Sequence, residues 1–138
     1  MVADAAVAAQ RGLQAQARVV DWATIGVAPS MMGIGPVPAV RKLLARTGMT
    51  VADIDYFEVN EAFAVVNLHA EHELGLSRER TNLYGGGISI GHPPGATGLR
   101  VTMTAMHHLQ DTPGRYAVIT MCIGAGQGMA ILIENLLR

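Results

Sequence analysis

Apolar and polar positions along the chain fall into two periodicities that take turns. Asp4 is placed to cap a short helix over residues 4–11, stopped at Gly12, and ARVVDWATIGV (17–27) is β-branched and apolar enough for a buried strand. APSMMGIGP reads as a loop. Pro36 and Pro38 suit the first turn of a helix reaching Thr47, with Val40, Leu43 and Leu44 on one face and Gly48 as its stop. Thr50 and Asp53 have the spacing of a capping box, DYFEVN (55–60) is a second strand, and EAFAVVNLHAEHELG predicts a helix with Ala62, Val65, Val66 and His69 on its inner face. A helix follows from Pro94 to about Gln110, with Leu99, Met103, Met106 and Leu109 along one side. Small residues around much of its remainder predict burial on more than one face, as in a central helix. RYAVITMCIG and GMAILIENLL are apolar strands joined by GAGQG, close enough for an antiparallel hairpin. The pattern predicts an α/β class: a mixed sheet packed by helices, with a C-terminal β-hairpin.

Composition narrows the functional classes. The 138 residues are half hydrophobic, enough for one domain with a real core. Ten basic residues against eleven acidic ones, without a Lys/Arg stripe, argue against a nucleic-acid or anionic-membrane partner. No apolar run reaches the roughly 18 residues of a membrane span. The first residues lack the basic and apolar regions of a signal peptide. The single cysteine excludes an intrachain disulfide framework and suits a reducing compartment, so the expected location is cytoplasmic.

Three polar residues stand at strand ends or in tight loops beside glycines: Asn60 in VNEAFA, His92 in SIGHPPGATG and Cys122 in MCIGAGQG. A thiol beside an imidazole can become a base or nucleophile near neutral pH, although a lone cysteine in an apolar strand is more often an inert core residue. Gly/Pro framing of one titratable ring is hard to explain by packing, which singles out His92. Asn60 could orient a water or donate to an oxyanion, or simply cap the helix that NEAF begins. The backbone N–H groups of Gly124 and Gly126 are of the kind that line an oxyanion hole, while GAGQG also reads as a plain hairpin turn. His69 with His72, and the pair His107–His108, have no further ligand at recognisable spacing, so no metal is expected.

PSMMGIGPVPAVRKLL, VNEAFA, GGGISIGHPPGATGLR and MCIGAGQGMA, in this order along nearly the whole chain, resemble the C-terminal half of the thiolase family. The resemblance implies a thiolase-like C-terminal domain over residues 1–138, incomplete at its N-terminal edge and lacking the N-terminal half. It implies acyl transfer between thioesters: Claisen condensation of acetyl-CoA, or thiolysis of 3-oxoacyl-CoA. No covalent cofactor is implied, coenzyme A thioester being the substrate. His92 would activate the nucleophilic cysteine, Cys122 would act as acid and base at the α-carbon, and Asn60 would hold a water that polarises a thioester oxygen with His92. Met32 would line the acyl pocket, Phe63 would flank the pantetheine arm, and the Gly124 N–H would belong to an oxyanion hole.

The chain departs from that pattern in two ways. The family's nucleophilic cysteine belongs to the N-terminal half, and Ala125 stands where a third consecutive glycine is usual, at a backbone position that positive φ would strain. The expected partners are therefore an acyl-CoA and either an N-terminal half or further copies of the chain. Two other readings stand beside this one: a non-catalytic module that binds acyl-CoA or a subunit, and an autonomous enzyme with Cys122 as its own nucleophile.

Overall fold

Period-2 alternation in the strands sorts their side chains onto two faces, and both faces are apolar. The computed structural model describes residues 1–137. Its elements run α1 (Ala5–Gln10), β1 (Ala17–Gly26), α2 (Pro36–Thr47), β2 (Tyr56–Val59), α3 (Ala64–Leu74), α4 (Gly87–Ile90), α5 (Pro94–Asp111), β3 (Tyr116–Ile123) and β4 (Gln127–Asn135). The strands form one mixed sheet in the order β1-β4-β3-β2. β4 is antiparallel to both β1 and β3, while β2 runs parallel to β3. A bulge at Val20 interrupts the β1–β4 register between Val19 and Asp21.

Ala23, Phe57, Val59, Val118, Ala130 and Leu132 point to one face, where Ala39, Val40, Leu43 and Leu44 of α2 cover them. Tyr56, Ala117, Ile119 and Ile133 point to the other, beneath Val101, Ala105 and Leu109 of α5. α2 follows the sequence closely. Prolines occupy its first turn and Gly48 ends it in the left-handed conformation.

Three local expectations are corrected. Residues 29–34, read as a loop, form a 3-10 helix that runs directly into α2, because Pro29 and Pro36 hold helical φ at either end. α3 begins at Ala64 and turns Val66, Asn67 and Ala70 inward, leaving Val65 66% exposed. α5 turns its small-residue row, Thr97, Val101, Ala105 and Leu109, to the sheet, and leaves Leu99 65% exposed. Two apolar rows wind around α5, and the sheet selects the row that permits close approach. Among the described residues, only one face of this helix is covered by the sheet.

A backbone contact ties the 3-10 segment to the sheet. A Cβ on Gly35 would stand 2.6 Å from the carbonyl oxygen of Gln127, and a Cβ on Gly128 would overlap the carbonyl of Gly35. Neither chain can carry a side chain there.

One acid lies inside this core. Glu58 is buried, and the hydroxyl of Tyr56 donates to its Oε1 at 2.5 Å. Desolvation pushes its carboxyl up to about 7, helped by the charge of Glu61 and opposed by Tyr56 and Arg100.

Two outcomes follow for stability. Gly128→Ala should cost about 1–3 kcal/mol or more through overpacking. Gly98→Ala, on α5 with open space around it, should be neutral or stabilising; equal denaturation midpoints for the two variants would refute the contact. Glu58 binds its proton more tightly folded than unfolded. Its favourable contribution is therefore complete below pH 4.5 and disappears as pH rises through about 7, a loss of about 3 kcal/mol. Glu58→Gln, which never ionises, should gain on the parent across that window in denaturant titrations, and parallel stability curves would refute the buried acid.

Candidate functional site

β1, β2 and β3 all run in one direction, so their carboxyl ends meet at one edge of the sheet. Such an edge is where open α/β sheets place their sites. β1 leads there into the 3-10 segment with Met32, β2 into Asn60, and β3 into Cys122 and Gly124. The segment carrying His92 leads into the N-terminus of α5. Topology thus brings Met32, Asn60, His92, Cys122 and Gly124 toward this edge, while Phe63 stands at the start of α3.

Asn60 and His92 meet directly, Asn60 Nδ2 lying 3.4 Å from His92 Nε2. The Asn60 backbone N–H donates to Thr120 O at 2.9 Å, which continues the β2–β3 ladder by one residue and fixes the side chain at the sheet edge. Its Oδ1 is buried with no hydrogen-bond partner among the described residues. Leaving a buried amide oxygen unpaired costs about 1–3 kcal/mol, so Oδ1 is free to accept from a further donor. Asn60 does not cap α3; Phe63 occupies that position, extended and 62% exposed.

Four residues that the sequence reading did not single out hold this pair. Thr97, fully buried in the first turn of α5, has its Oγ1 at 2.8 Å from His92 Nδ1. One turn further along, Arg100 donates from Nη2 to Gly91 O at 2.7 Å and from Nη1 to Ile90 O at 3.4 Å, gripping the residues just before His92. Glu61 accepts the Ile88 N–H at 3.0 Å and an Asn82 Nδ2 proton at 3.3 Å. Gly86 lies so close to the Glu61 carboxyl that a Cβ there would overlap it. Asn82, with φ +51, mimics a strand residue: its Oδ1 accepts the Val59 N–H at 2.8 Å while its Nδ2 donates to Val59 O at 2.8 Å. Three consecutive glycines, 85–87, were the sequence signal for a close approach; Asn82 and Thr97 had none.

Cys122 sits opposite Gly128 in the β3–β4 ladder, one residue pair from the hairpin end. Burial pushes its thiol up, opposed by a backbone hydrogen bond. The thiol is therefore held as a neutral acid rather than activated. It makes no hydrogen bond with His92 or Asn60 among the described residues, so the thiol–imidazole activation open from the sequence is not formed within this chain. The hairpin loop is Gly124, Ala125 and Gly126, with φ of +67 at Ala125 and +88 at Gly126. Gly126 O accepts the Val27 N–H at 2.7 Å, which joins the loop to the end of β1. Met32 is half-buried on the adjoining 3-10 segment, while Gly124 is exposed.

This arrangement presents an imidazole and an amide side by side at an accessible edge, with a protonated thiol on the neighbouring strand. It can offer hydrogen bonds to an oxygen and exchange protons.

Comparison with known proteins identifies the family and the fold. The family model described as "Thiolase, C-terminal domain" matches residues 13–135. A beta-ketoadipyl-CoA thiolase of Pseudomonas knackmussii is 48% identical over 137 residues, which are 98% of this chain and 34% of that protein. The cytosolic acetyl-CoA acetyltransferase of Mus musculus is 44% identical over 128 residues, 93% of this chain and 32% of that protein. Among solved structures, human mitochondrial 3-ketoacyl-CoA thiolase superposes with a TM-score of 0.94 at 42% identity, over 97% of this chain and 34% of that one. The Bacillus anthracis acetyl-CoA acetyltransferase gives 0.92 at 42% identity, over 96% of this chain and 34% of that one. The chain spans about a third of the length of these relatives.

Ala125 occupies the left-handed region that its missing glycine would hold without strain. Ala125→Gly should therefore stabilise the chain by about 0.5–1 kcal/mol, after the extra freedom glycine gives the unfolded state. A lowered denaturation midpoint would show that the loop does not need positive φ there.

Proposed function

Since the chain belongs to the thiolase family, we propose that it is the C-terminal catalytic domain of a thiolase, completed by an N-terminal half that carries the nucleophilic cysteine. The reaction is acyl transfer between thioesters, by Claisen condensation of acetyl-CoA or thiolysis of 3-oxoacyl-CoA. The substrate is a coenzyme A thioester, no covalent cofactor is required, and the assembly is an oligomer in the cytoplasm.

The direct pairing of Asn60 with His92 at the carboxyl edge carries this reading. A nucleophilic thiol needs a nearby base, and the exposed His92 ring is placed to accept its proton. The Asn60 amide, beside that ring, donates toward a thioester oxygen, directly or through a water. Cys122 exchanges the proton at the α-carbon. Held protonated by burial, it suits donation to the carbanion that thiolysis releases; condensation requires its thiolate to remove that proton first. Gly124 offers its backbone N–H to a developing oxyanion, and Met32 and Phe63 border the acyl group and the pantetheine arm.

The uncovered surface supports a missing layer. Leu99 and Met103 on α5, with Trp22 57% exposed on β1, form apolar surface that an N-terminal half would bury. The absence of a Cys122–His92 contact among the described residues favours a second reading, a non-catalytic module that binds acyl-CoA or a subunit.

Mixing the chain with the N-terminal half of a complete thiolase should restore acetoacetyl-CoA thiolysis. His92→Ala or Cys122→Ala should each lower the rate by about 10²-fold or more. A folded complex without thiolysis, whose acyl-CoA binding survives both substitutions, would establish the non-catalytic module instead.

A further inference from the structure

We infer that Thr97 is a positioning residue that fixes the tautomer of His92, placing the proton on Nδ1 and leaving Nε2 bare toward Asn60. The inference rests on the reading of His92 as a base, because only a bare Nε2 at the accessible edge can take a proton.

The contact at Nδ1 points to this tautomer, and the contact at Nε2 is compatible with it. Thr97 Oγ1 lies 2.9 Å from Pro93 O, four residues earlier and just before α5. A carbonyl can only accept, so the single hydroxyl proton is directed there. What Oγ1 then presents to His92 Nδ1, at 2.8 Å, is a lone pair. A bare Nδ1 would face that lone pair without a proton between them, whereas Nδ1–H donates to it. At the other nitrogen, Asn60 turns its Nδ2 toward Nε2 at 3.4 Å. With Nε2 bare, the amide donates to it. The bond on one ring nitrogen thus decides the chemistry of the other.

Thr97 is well built for the task. It is fully buried, so water does not compete for its hydroxyl. It stands in the first turn of α5, behind Pro93 and Pro94, whose fixed φ holds the chain between it and His92. Arg100, one turn on, fastens the carbonyls of Ile90 and Gly91 and keeps the backbone before His92 against the same helix. Removing the Thr97 hydroxyl is a selective change. Pro93 O also accepts the backbone N–H groups of Ala96 and Thr97, each at 2.9 Å, so the side chain that loses its partner is His92.

The test uses the full chain, labelled with 15N in its histidines, at about pH 8.5, well above the ordinary histidine pKa of about 6.5. Long-range proton–nitrogen correlations distinguish a protonated ring nitrogen from a bare one, and His92→Gln identifies the His92 signals among those of five histidines. The parent chain and Thr97→Ser should both show Nδ1–H. Thr97→Val, with its fold verified by the unchanged correlations of His69 and His72, should lower the ratio of Nδ1–H to Nε2–H about five- to tenfold, the factor one net hydrogen bond implies. A parent ring protonated on Nε2, or a ratio unmoved in Thr97→Val, would overturn the inference. The spectrum reads the tautomer without any acyl transfer. A correct tautomer in a reconstituted complex without thiolysis would therefore overturn the catalytic reading alone, and a correct parent tautomer whose ratio does not move in Thr97→Val would overturn the positioning role alone.

Discussion

The fold turns on a place where two stretches of backbone touch with nothing between them. Gly35, at the head of α2, rests on Gly128, at the start of β4, and neither has room for a β-carbon. Gly128 is the ladder partner of Cys122, and Gly35 ends the segment that carries Met32. This single contact sets how far the Met32 segment stands from the Cys122 strand. It also anchors the first turn of α2, from which Ala39, Val40, Leu43 and Leu44 descend over the sheet. Interiors packed at near-crystalline density pass such a constraint on without slack. The glycines here give up intrinsic stability in return for proximity.

A second bracket works on the opposite side of the edge. Glu61 reaches across to the Ile88 N–H and the Asn82 amide, with Gly86 pressed against it. Asn60, next to Glu61, faces His92, which follows the glycine run by a few residues. The ion that holds the loop and the amide that meets the imidazole are neighbours in sequence, so one turn of chain both closes the loop and furnishes the site. Burying the polar ends of so many groups is tolerable because nearly all are paired; Asn60 Oδ1 is an exception, and it lies at the centre of the proposed chemistry.

What was legible in the sequence depended on whether the signal was local. Pro36 and Gly48 bounded α2 because a proline and a left-handed glycine act on their own backbone. The hairpin was legible for the same reason, and the strain suspected at Ala125 is present as positive φ. The start of α3 was not, because Asn60 looked like a cap and its side chain is claimed by His92, a ring distant in sequence. The inner face of α5 was misassigned because size and hydropathy disagreed: Leu99 and Met103 are the more apolar, but the sheet accepts Thr97, Val101 and Ala105. Thr97 and Asn82 were invisible because polar partnership is a property of the fold and leaves no periodicity behind.

The two margins of the sheet are protected differently. β2 is only four residues long, and Thr81 bridges to Phe57 while the Asn82 amide satisfies Val59, so that margin offers little unpaired backbone. β1 is ten residues long and, among the described residues, pairs with β4 alone, leaving along its outer side a row of backbone groups that side chains partly satisfy: Asp21 Oδ1 accepts the Trp22 N–H, Arg46 donates to Trp22 O and Lys42 to Thr24 O. The extra residue at Val20 bends that row and sharpens its twist. A straight margin of this length would template strand addition from another copy and grow into fibrils. The bulge, together with the side chains of Asp21, Lys42 and Arg46 on Trp22 and Thr24, blunts this long margin against the addition of a further strand.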